Sequence, residues 1–320
     1  MESSNEEIEQ KMKVSIITPC HNRAKFMDAT IASVLNQVGE FSIQYIIQNA
    51  GRSPAVRQIL DRWENDVANS RFTAGCQGID LHIHHEADGN MYEGLNRGFA
   101  RADGEIYAWI NSDDLYHQGA FQTVSEIFSE NDDVHWLVGI ANSFNRRGSR
   151  SGYDPMTKAY SSEFIRRGLY RIENANTGFG WIPQDCCFWR RDLWNRADGR
   201  LDDSLRFAAD FKLWQSFAHH TDLVKVNSFL GGYRYHGDQF TAESANYISE
   251  LPPLELPPAG FRALHKWLSR NPEDSGLFFN PERGKPWIDG FDLQFEWLAG
   301  REATFNFAAD RWELNLMPIL

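Results

Sequence analysis

Two adjacent carboxylates, Asp113 and Asp114, follow the apolar run Ile106, Tyr107, Ala108, Trp109 and Ile110. Gly104 opens the stretch, and Asn111 and Ser112 stand between the run and the acids. An unbroken apolar run of this length reads as a strand buried on both faces, because such a strand has no solvent side and shows no alternation. Side by side at a strand end, each carboxylate raises the other's pKa, and both must be solvated or neutralised. A divalent cation supplies that neutralisation, and in an open α/β sheet ligands bind at the carboxyl ends of strands. The pair is therefore read as a site for a metal-bound diphosphate. Two other pairs act as controls. Asp132 and Asp133 precede an apolar segment, residues 134–140, and Asp202 and Asp203 lie in a polar segment with Gly199 and Ser204. Solvated loops or helix caps account for both.

The elements that must position the acids alternate regularly. Residues 13–19 read as a first buried strand, with Cys20, His21, Asn22 and Arg23 as the turn after it. A helix is expected over 25–37, a strand over 43–48 and a helix from Pro54 to about 67, since Pro suits a first helical turn. A short strand over 81–84 and a helix over 91–102 lead back to the acidic strand. Strand and helix in strict alternation predict a doubly wound sheet with right-handed crossovers. Further on, the pattern predicts helices over 118–129, 191–196 and 207–219 and strands over 136–141 and 223–230. Residues 145–180 read as irregular, residues 233–239 as a polar loop, and residues 251–258, with four prolines, as a boundary or strap. A last helix is expected over 259–268. The aromatic-rich remainder, with Trp287, Trp297 and Trp312, is read as packing, with a dimer surface or acceptor groove as the other options.

Composition narrows the function classes. The 320 residues are 42% apolar and 24% charged, with a formal net charge of −12. That permits a sizeable core and opposes nucleic-acid binding, which needs a basic face. Four cysteines without a Cys-x-x-Cys argue against a disulfide framework or a zinc site. The acidic N-terminus does not read as a signal peptide, and no run reaches the roughly 18 apolar residues of a spanning helix. A cytoplasmic protein is expected, with peripheral contact at the inner membrane face left open. Neither G-x-G-x-x-G after the first strand nor G-x-x-x-x-G-K-[ST] occurs, which opposes dinucleotide dehydrogenases and P-loop enzymes.

Taken together, several stretches resemble family 2 glycosyltransferases of the GT-A fold. They are Val14 to Pro19 with Asn22 and Arg23; Tyr92 and Leu95-Asn96-Arg97-Gly98; Gly104-Glu105; Asn111 to Tyr116; Ile182-Pro183-Gln184; Arg190 to Leu193; Leu201 to Arg206; Asp210 with Leu213-Trp214; and Arg234 to Gly237. The resemblance covers about residues 13–240. It implies a GT-A type α/β fold, a doubly wound mixed sheet with a nucleotide-binding half and an acceptor-side half. The chain divides into a tail (1–12), the transferase domain (13–245) and an aromatic-rich C-terminal extension (246–320).

The same resemblance implies transfer of a sugar from a nucleotide-diphosphate donor, a UDP-sugar being favoured, to a glycan or lipid-linked glycan acceptor. Mn2+ or Mg2+ would bridge the diphosphate, with Asp114 as direct ligand, His236 beside it and Asp113 on the nucleotide side. Asp210 occupies the place of the general base, and inversion by single displacement follows. Related enzymes often carry a second acid two residues later, where this chain has Lys212. Pro19, Asn22, Asn49, Asp88, Asn96 and Arg97 fall in nucleotide-side segments, and Gln184 and Arg234 on the acceptor or phosphate side. At the end of the second strand the family commonly has an Asp that accepts a hydrogen bond from a pyrimidine. Asn49 stands there, and its amide oxygen can still accept. Synthesis of a surface polysaccharide is the expected context. Three rivals remain at this level. A sugar-nucleotide nucleotidyltransferase would need a Gly-rich basic loop after the first strand. A non-catalytic nucleotide-sugar-binding scaffold is favoured by Asn49 and Lys212. A domain serving a larger assembly, or a homo-oligomer, would use the C-terminal extension as an interface.

Overall fold

The computed structural model describes residues 12–140, 142–153, 159–171, 180–237, 244–253, 277–280, 285–288, 291–292 and 299–318. Its first half runs β1 (Lys13–Cys20), α1 (Met27–Leu35), β2 (Ser42–Asn49), α2 (Pro54–Ala68), β3 (Gly78–His85), α3 (Met91–Phe99), β4 (Ile106–Trp109), β5 (Leu115–Tyr116), α4 (Ala120–Glu130) and β6 (Trp136–Val138). There follow β7 (Asn142–Phe144), β8 (Arg150–Tyr153), α5 (Ser162–Arg166), a 3-10 turn (Gln184–Cys186), β9 (Cys187–Arg190), α6 (Arg191–Arg196), α7 (Ala209–Phe217), β10 (Val224–Val226) and β11 (Gly231–Arg234). The last elements are α8 (Ser244–Glu250), β12 (Leu277–Asn280), β13 (Lys285–Ile288), β14 (Phe291–Asp292), β15 (Ala299–Asn306) and β16 (Arg311–Pro318).

Nine strands form one mixed sheet in the order β16-β15-β10-β6-β9-β4-β1-β2-β3. β4, β1, β2 and β3 run parallel, as alternation with helices requires. β9 is antiparallel to both of its neighbours, β4 and β6. Helices cover both faces. Ile106, Ala108 and Ile110 pack in a core with Ile31 of α1, Leu60 of α2 and Phe121 of α4. Tyr107 and Trp109 point the other way, into a core with Phe99 of α3, Trp194 of α6 and Trp214 of α7. This opposite packing of alternate residues is why the acidic strand is apolar throughout. Two helix starts are capped as their sequences suggest: the Ser53 hydroxyl accepts from Val56 N, and Asn90 Oδ1 accepts from Tyr92 N and Glu93 N.

Three readings from the sequence change. The strand expected over 223–230 ends at Val226, and Gly231–Arg234, its last two residues expected to begin the polar loop, is a strand. Inside the stretch read as irregular lie a strand, Arg150–Tyr153, and a short helix, Ser162–Arg166. The helix expected over 259–268 lies outside the described residues, as do Trp297 and the side chain of Trp287.

The C-terminal hairpin extends the main sheet. β15 pairs in parallel with β10, and β16 returns beside it. A buried ion pair fastens the junction: Lys225 Nζ lies 3.1 Å from Glu302 Oε1, with exposures of only 2% and 5%. Asn227 Nδ2 donates to the same oxygen, and the Trp312 indole donates to Glu126 of α4.

Candidate active site

The carboxyl ends of β1 and β4 open on a cavity of about 1070 Å³. Its lining includes Pro19, Asp88, Asp113, Asp114, Gln184, Asp185 and Asp210. That volume reaches the upper end of typical ligand pockets, roughly 300–1,000 Å³.

The acidic pair is built by three strand ends. After Asp114 the chain forms β5, which pairs with Gly231 and Gly232 of β11. That pairing carries Arg234 and His236 to the acids. Asp114 Oδ1 accepts the Arg234 backbone N–H at 2.7 Å, and Asp114 Oδ2 accepts from Asn111 Nδ2 at 3.2 Å. The Arg234 guanidinium donates to the Asp113 carbonyl, and Thr30 Oγ1 donates to that of Asp114. Close approach at this point requires glycine, because a Cβ on Gly231 would lie 1.8 Å from the Asp185 carbonyl oxygen.

His236 Nε2 is 3.0 Å from Asp113 Oδ2, and Arg23 is 3.6 Å from the same oxygen. His236 braces Asp113, not Asp114, and its Nε2 is engaged there. Burial raises the Asp114 pKa well above the ordinary carboxylate value, with the charges of Asp113 and Asp185 adding to it.

Asp185 is the acid that sequence reasoning missed. It is buried, burial lifts its pKa to about 6, and it lies close enough to Asp114 to oppose its ionisation. The reading placed acids before a strand away from the site, which holds for Asp132 and Asp133 before parallel β6. It fails for Asp185, because β9 runs antiparallel and begins where β4 ends. The available signal was its position directly after Ile182-Pro183-Gln184. Gln184 itself donates to the Trp109 carbonyl at 2.7 Å and ties that turn to the end of β4.

Asp210 sits in the first turn of α7. Phe211 N donates to Asp210 Oδ1 at 2.8 Å and the Tyr247 hydroxyl to the same oxygen at 3.3 Å. Burial nevertheless raises its pKa to about 6. Trp214, one turn further along, stacks on Trp109 with ring centroids 5.8 Å apart and planes 14° from parallel. That contact sets the helix carrying Asp210 against the strand carrying the acidic pair. Lys212 turns outward to Asp202, whose pKa it lowers to about 2 with help from Ser204.

Several expected nucleotide-side residues serve the scaffold. Asn49 places Nδ2 on His85 Nδ1 and Oδ1 on Gly51 N. Asn22, at a positive φ of 58°, accepts Arg52 N and Ser53 N and so fixes the loop after β2. Asn96 clamps α3 to Leu201 through both ends of its amide, and Arg97 pairs with Glu93 and the Ala87 carbonyl. None of these four lines the cavity among the described residues. Asp88 does, with its pKa raised by burial and by Glu93.

Residues 15–194 match the sequence profile of glycosyl transferase family 2. The chain belongs to that family. It is a glycosyltransferase, and the nucleotidyltransferase reading falls away. An uncharacterized glycosyltransferase of Rickettsia typhi is 24% identical over 242 residues, covering 75% of this chain and 70% of the relative. The minor teichoic acid biosynthesis protein GgaB of Bacillus subtilis is 24% identical over 202 residues, 62% of this chain but 20% of GgaB. Among solved structures, S. aureus TarS (residues 1–349) in complex with UDP-GlcNAc superposes with a TM-score of 0.53 at 15% identity, over 72% of this chain and 61% of TarS. A mannosyltransferase of Pyrobaculum calidifontis, in complex with GDP-Man and Mn2+, gives 0.52 at 12% identity, over 81% of this chain and 69% of that one. These likenesses establish the GT-A fold. Among the described residues no helix is long and apolar enough to cross a membrane.

The donor set at the acidic pair fits a hard divalent cation. No group of three His, Cys, Asp or Glu side chains able to cage an ion occurs among the described residues. Two carboxylates face the cavity instead, and Asn111 Oδ1 is a buried acceptor without a hydrogen-bond partner among the described residues. One or two protein carboxylates, completed by phosphate and water, is how Mg2+ is commonly held beside a phosphorylated substrate.

Proposed function

We propose that this family 2 enzyme transfers a sugar from a nucleotide-diphosphate donor to the hydroxyl of a glycan acceptor, with inversion at the anomeric carbon. The observation that carries the reading is that Asp210 and the Asp113–Asp114 pair line one cavity. Asp113 and Asp114 would hold a divalent cation at the donor diphosphate, and His236 and Arg23 keep Asp113 oriented. A cation bound there would supply neutralisation of the charge that builds on the departing diphosphate.

The acceptor hydroxyl is a weak nucleophile and must lose its proton as it attacks. Asp210 accepts that proton. Both hydrogen bonds from Phe211 and Tyr247 fall on Oδ1, so Oδ2 is the oxygen that takes it. The acceptor oxygen bonds to the anomeric carbon from the side opposite the diphosphate. The bond from that carbon to the phosphate oxygen breaks, and its electron pair leaves with the nucleoside diphosphate. A carboxylate with a pKa near 6 suits the task, being largely ionised at neutral pH yet more basic than an ordinary Asp.

Asp88 and Pro19 serve the nucleoside end. Asp88 takes the acceptor role toward the nucleobase that the sequence suggested for Asn49, whose amide is spent on His85 and Gly51. A UDP-sugar suits an acid that accepts from a pyrimidine N–H. The acceptor side is aromatic, with Tyr153, Trp181, Tyr233 and Tyr235 on the lining, a surface against which sugar rings can stack. The relation to GgaB supports a cell-wall or surface polysaccharide as product.

The test is a panel of nucleotide-sugars assayed with Mn2+ for thermal stabilisation and for release of the nucleoside diphosphate. Stabilisation by at least one donor, dependent on Mn2+ and lost in Asp114→Asn, is expected. Failure of every donor to stabilise the protein would overturn the reading.

A further inference from the structure

α8 straddles the expected domain boundary at 245 and lies beyond the family-matched residues, yet two of its side chains, both past that boundary, reach the turn that carries Asp210. The N-cap position of α7 is Ala208, which has no side chain able to cap the helix. The segment leading into α7, up to and including its N-cap residue, is held from α8 instead. The Glu250 carboxylate accepts the backbone N–H groups of Arg206 at 2.9 Å, Phe207 at 2.8 Å and Ala208 at 3.0 Å. An anion at a helix N-terminus is also favoured by the helix dipole. Three residues earlier, on the same face of α8, the Tyr247 hydroxyl donates to Asp210 Oδ1.

We infer that Tyr247 and Glu250 are positioning residues of the transfer reaction, Glu250 by fixing the entry to α7 and Tyr247 by orienting the Asp210 carboxylate so that Oδ2 faces the acceptor. The inference rests on the reading of Asp210 as the base. It makes α8 part of the catalytic apparatus, although the sequence assigns it to an extension. Tyr247 and Glu250 act on Asp210 in opposite senses: the phenol stabilises the ionised carboxylate, and the Glu250 charge disfavours it. Among the described residues two other titratable groups interact electrostatically with Asp210. They are Tyr92 of α3, whose hydroxyl donates to the Phe207 carbonyl at 2.6 Å, and Cys187 of β9. Burial raises the pKa of both, which keeps them neutral in the range where Asp210 titrates.

The experiment follows the Asp210 carboxyl carbon by 13C NMR in the full chain labelled at Asp, its signal identified by loss in Asp210→Asn. In parallel, UDP release from UDP-GlcNAc with Mn2+ is measured across pH. Tyr247→Phe removes only the hydroxyl, and Glu250→Gln keeps an oxygen to accept the amides while removing the charge. The Asp210 midpoint is expected to move up in Tyr247→Phe and down in Glu250→Gln. The acidic limb of UDP release should move with it, and turnover should fall roughly three- to tenfold, the scale of losing one ordinary hydrogen bond. A midpoint unchanged in both variants would overturn the inference while leaving Asp210 as base. UDP release retained in Asp210→Asn would overturn the base assignment, and the inference with it.

Discussion

Replacing Asp210 by Asn should stabilise the protein while abolishing transfer. Burial moves the Asp210 pKa from 3.8 to about 6. The folded value lies above the unfolded one, so the neutral acid is the form that folding tolerates. The group's favourable contribution is complete below about 3.8 and is lost as pH rises through about 6. At pH 7.5 the ionised carboxylate then costs about 3 kcal/mol, at about 1.4 kcal/mol per tenfold difference in proton affinity. At pH 5 the same linkage leaves a cost of about half that. Asn removes the charge without breaking the local bonds, because Phe211 N and the Tyr247 hydroxyl both donate to Oδ1, which an amide oxygen can replace. For a chain of this length, 3 kcal/mol corresponds to about 4 °C in Tm. Thermal unfolding of both proteins at pH 7.5 and pH 5 measures the effect, beside UDP release from the best donor of the panel. A Tm gain that is absent at pH 7.5, or that does not shrink on acidification, would refute the reasoning about burial. Retained turnover would refute the role of Asp210.

Three further outcomes are expected. Asp114→Asn should lower Mn2+-dependent turnover roughly 100-fold, the scale of losing a charge-stabilising group in an active site, and an unchanged Mn2+ dependence in a metal titration would remove Asp114 from the site. Glu302→Ala strands Lys225 in the sheet without its partner; it should cost about 3–5 kcal/mol in urea unfolding, and a loss under 1 kcal/mol would show that the hairpin does not rely on that pair. Lys212→Ala should leave the pH profile of turnover unchanged and stability within about 1 kcal/mol, because the lysine pairs with Asp202 at an exposed site; a displaced acidic limb would return Lys212 to the surroundings of Asp210.

The sequence by itself determined the sheet half that carries the acidic pair. Its strands are buried on both faces, so each is a plain apolar run, and its helices alternate with them at regular spacing. An acid pair placed directly after such a run could be read as a site from position alone. Asp210 was legible only through family resemblance, since a lone carboxylate in a helical pattern looks like any solvated face. What the tertiary structure alone decided is which acids meet. Asp185 precedes its strand, and only the reversed direction of β9 brings it to the site end of the sheet. His236 follows Gly231–Arg234, whose last two residues read as loop, and the pairing of Gly231 and Gly232 with β5 brings it to Asp113. Glu250 and Tyr247 lie beyond the boundary at 245 expected with the family resemblance, yet Glu250 bonds the backbone entering α7 and Tyr247 bonds Asp210. Strand direction, register and long-range capping depend on contacts between residues far apart in the chain, and no local pattern of residue types encodes them.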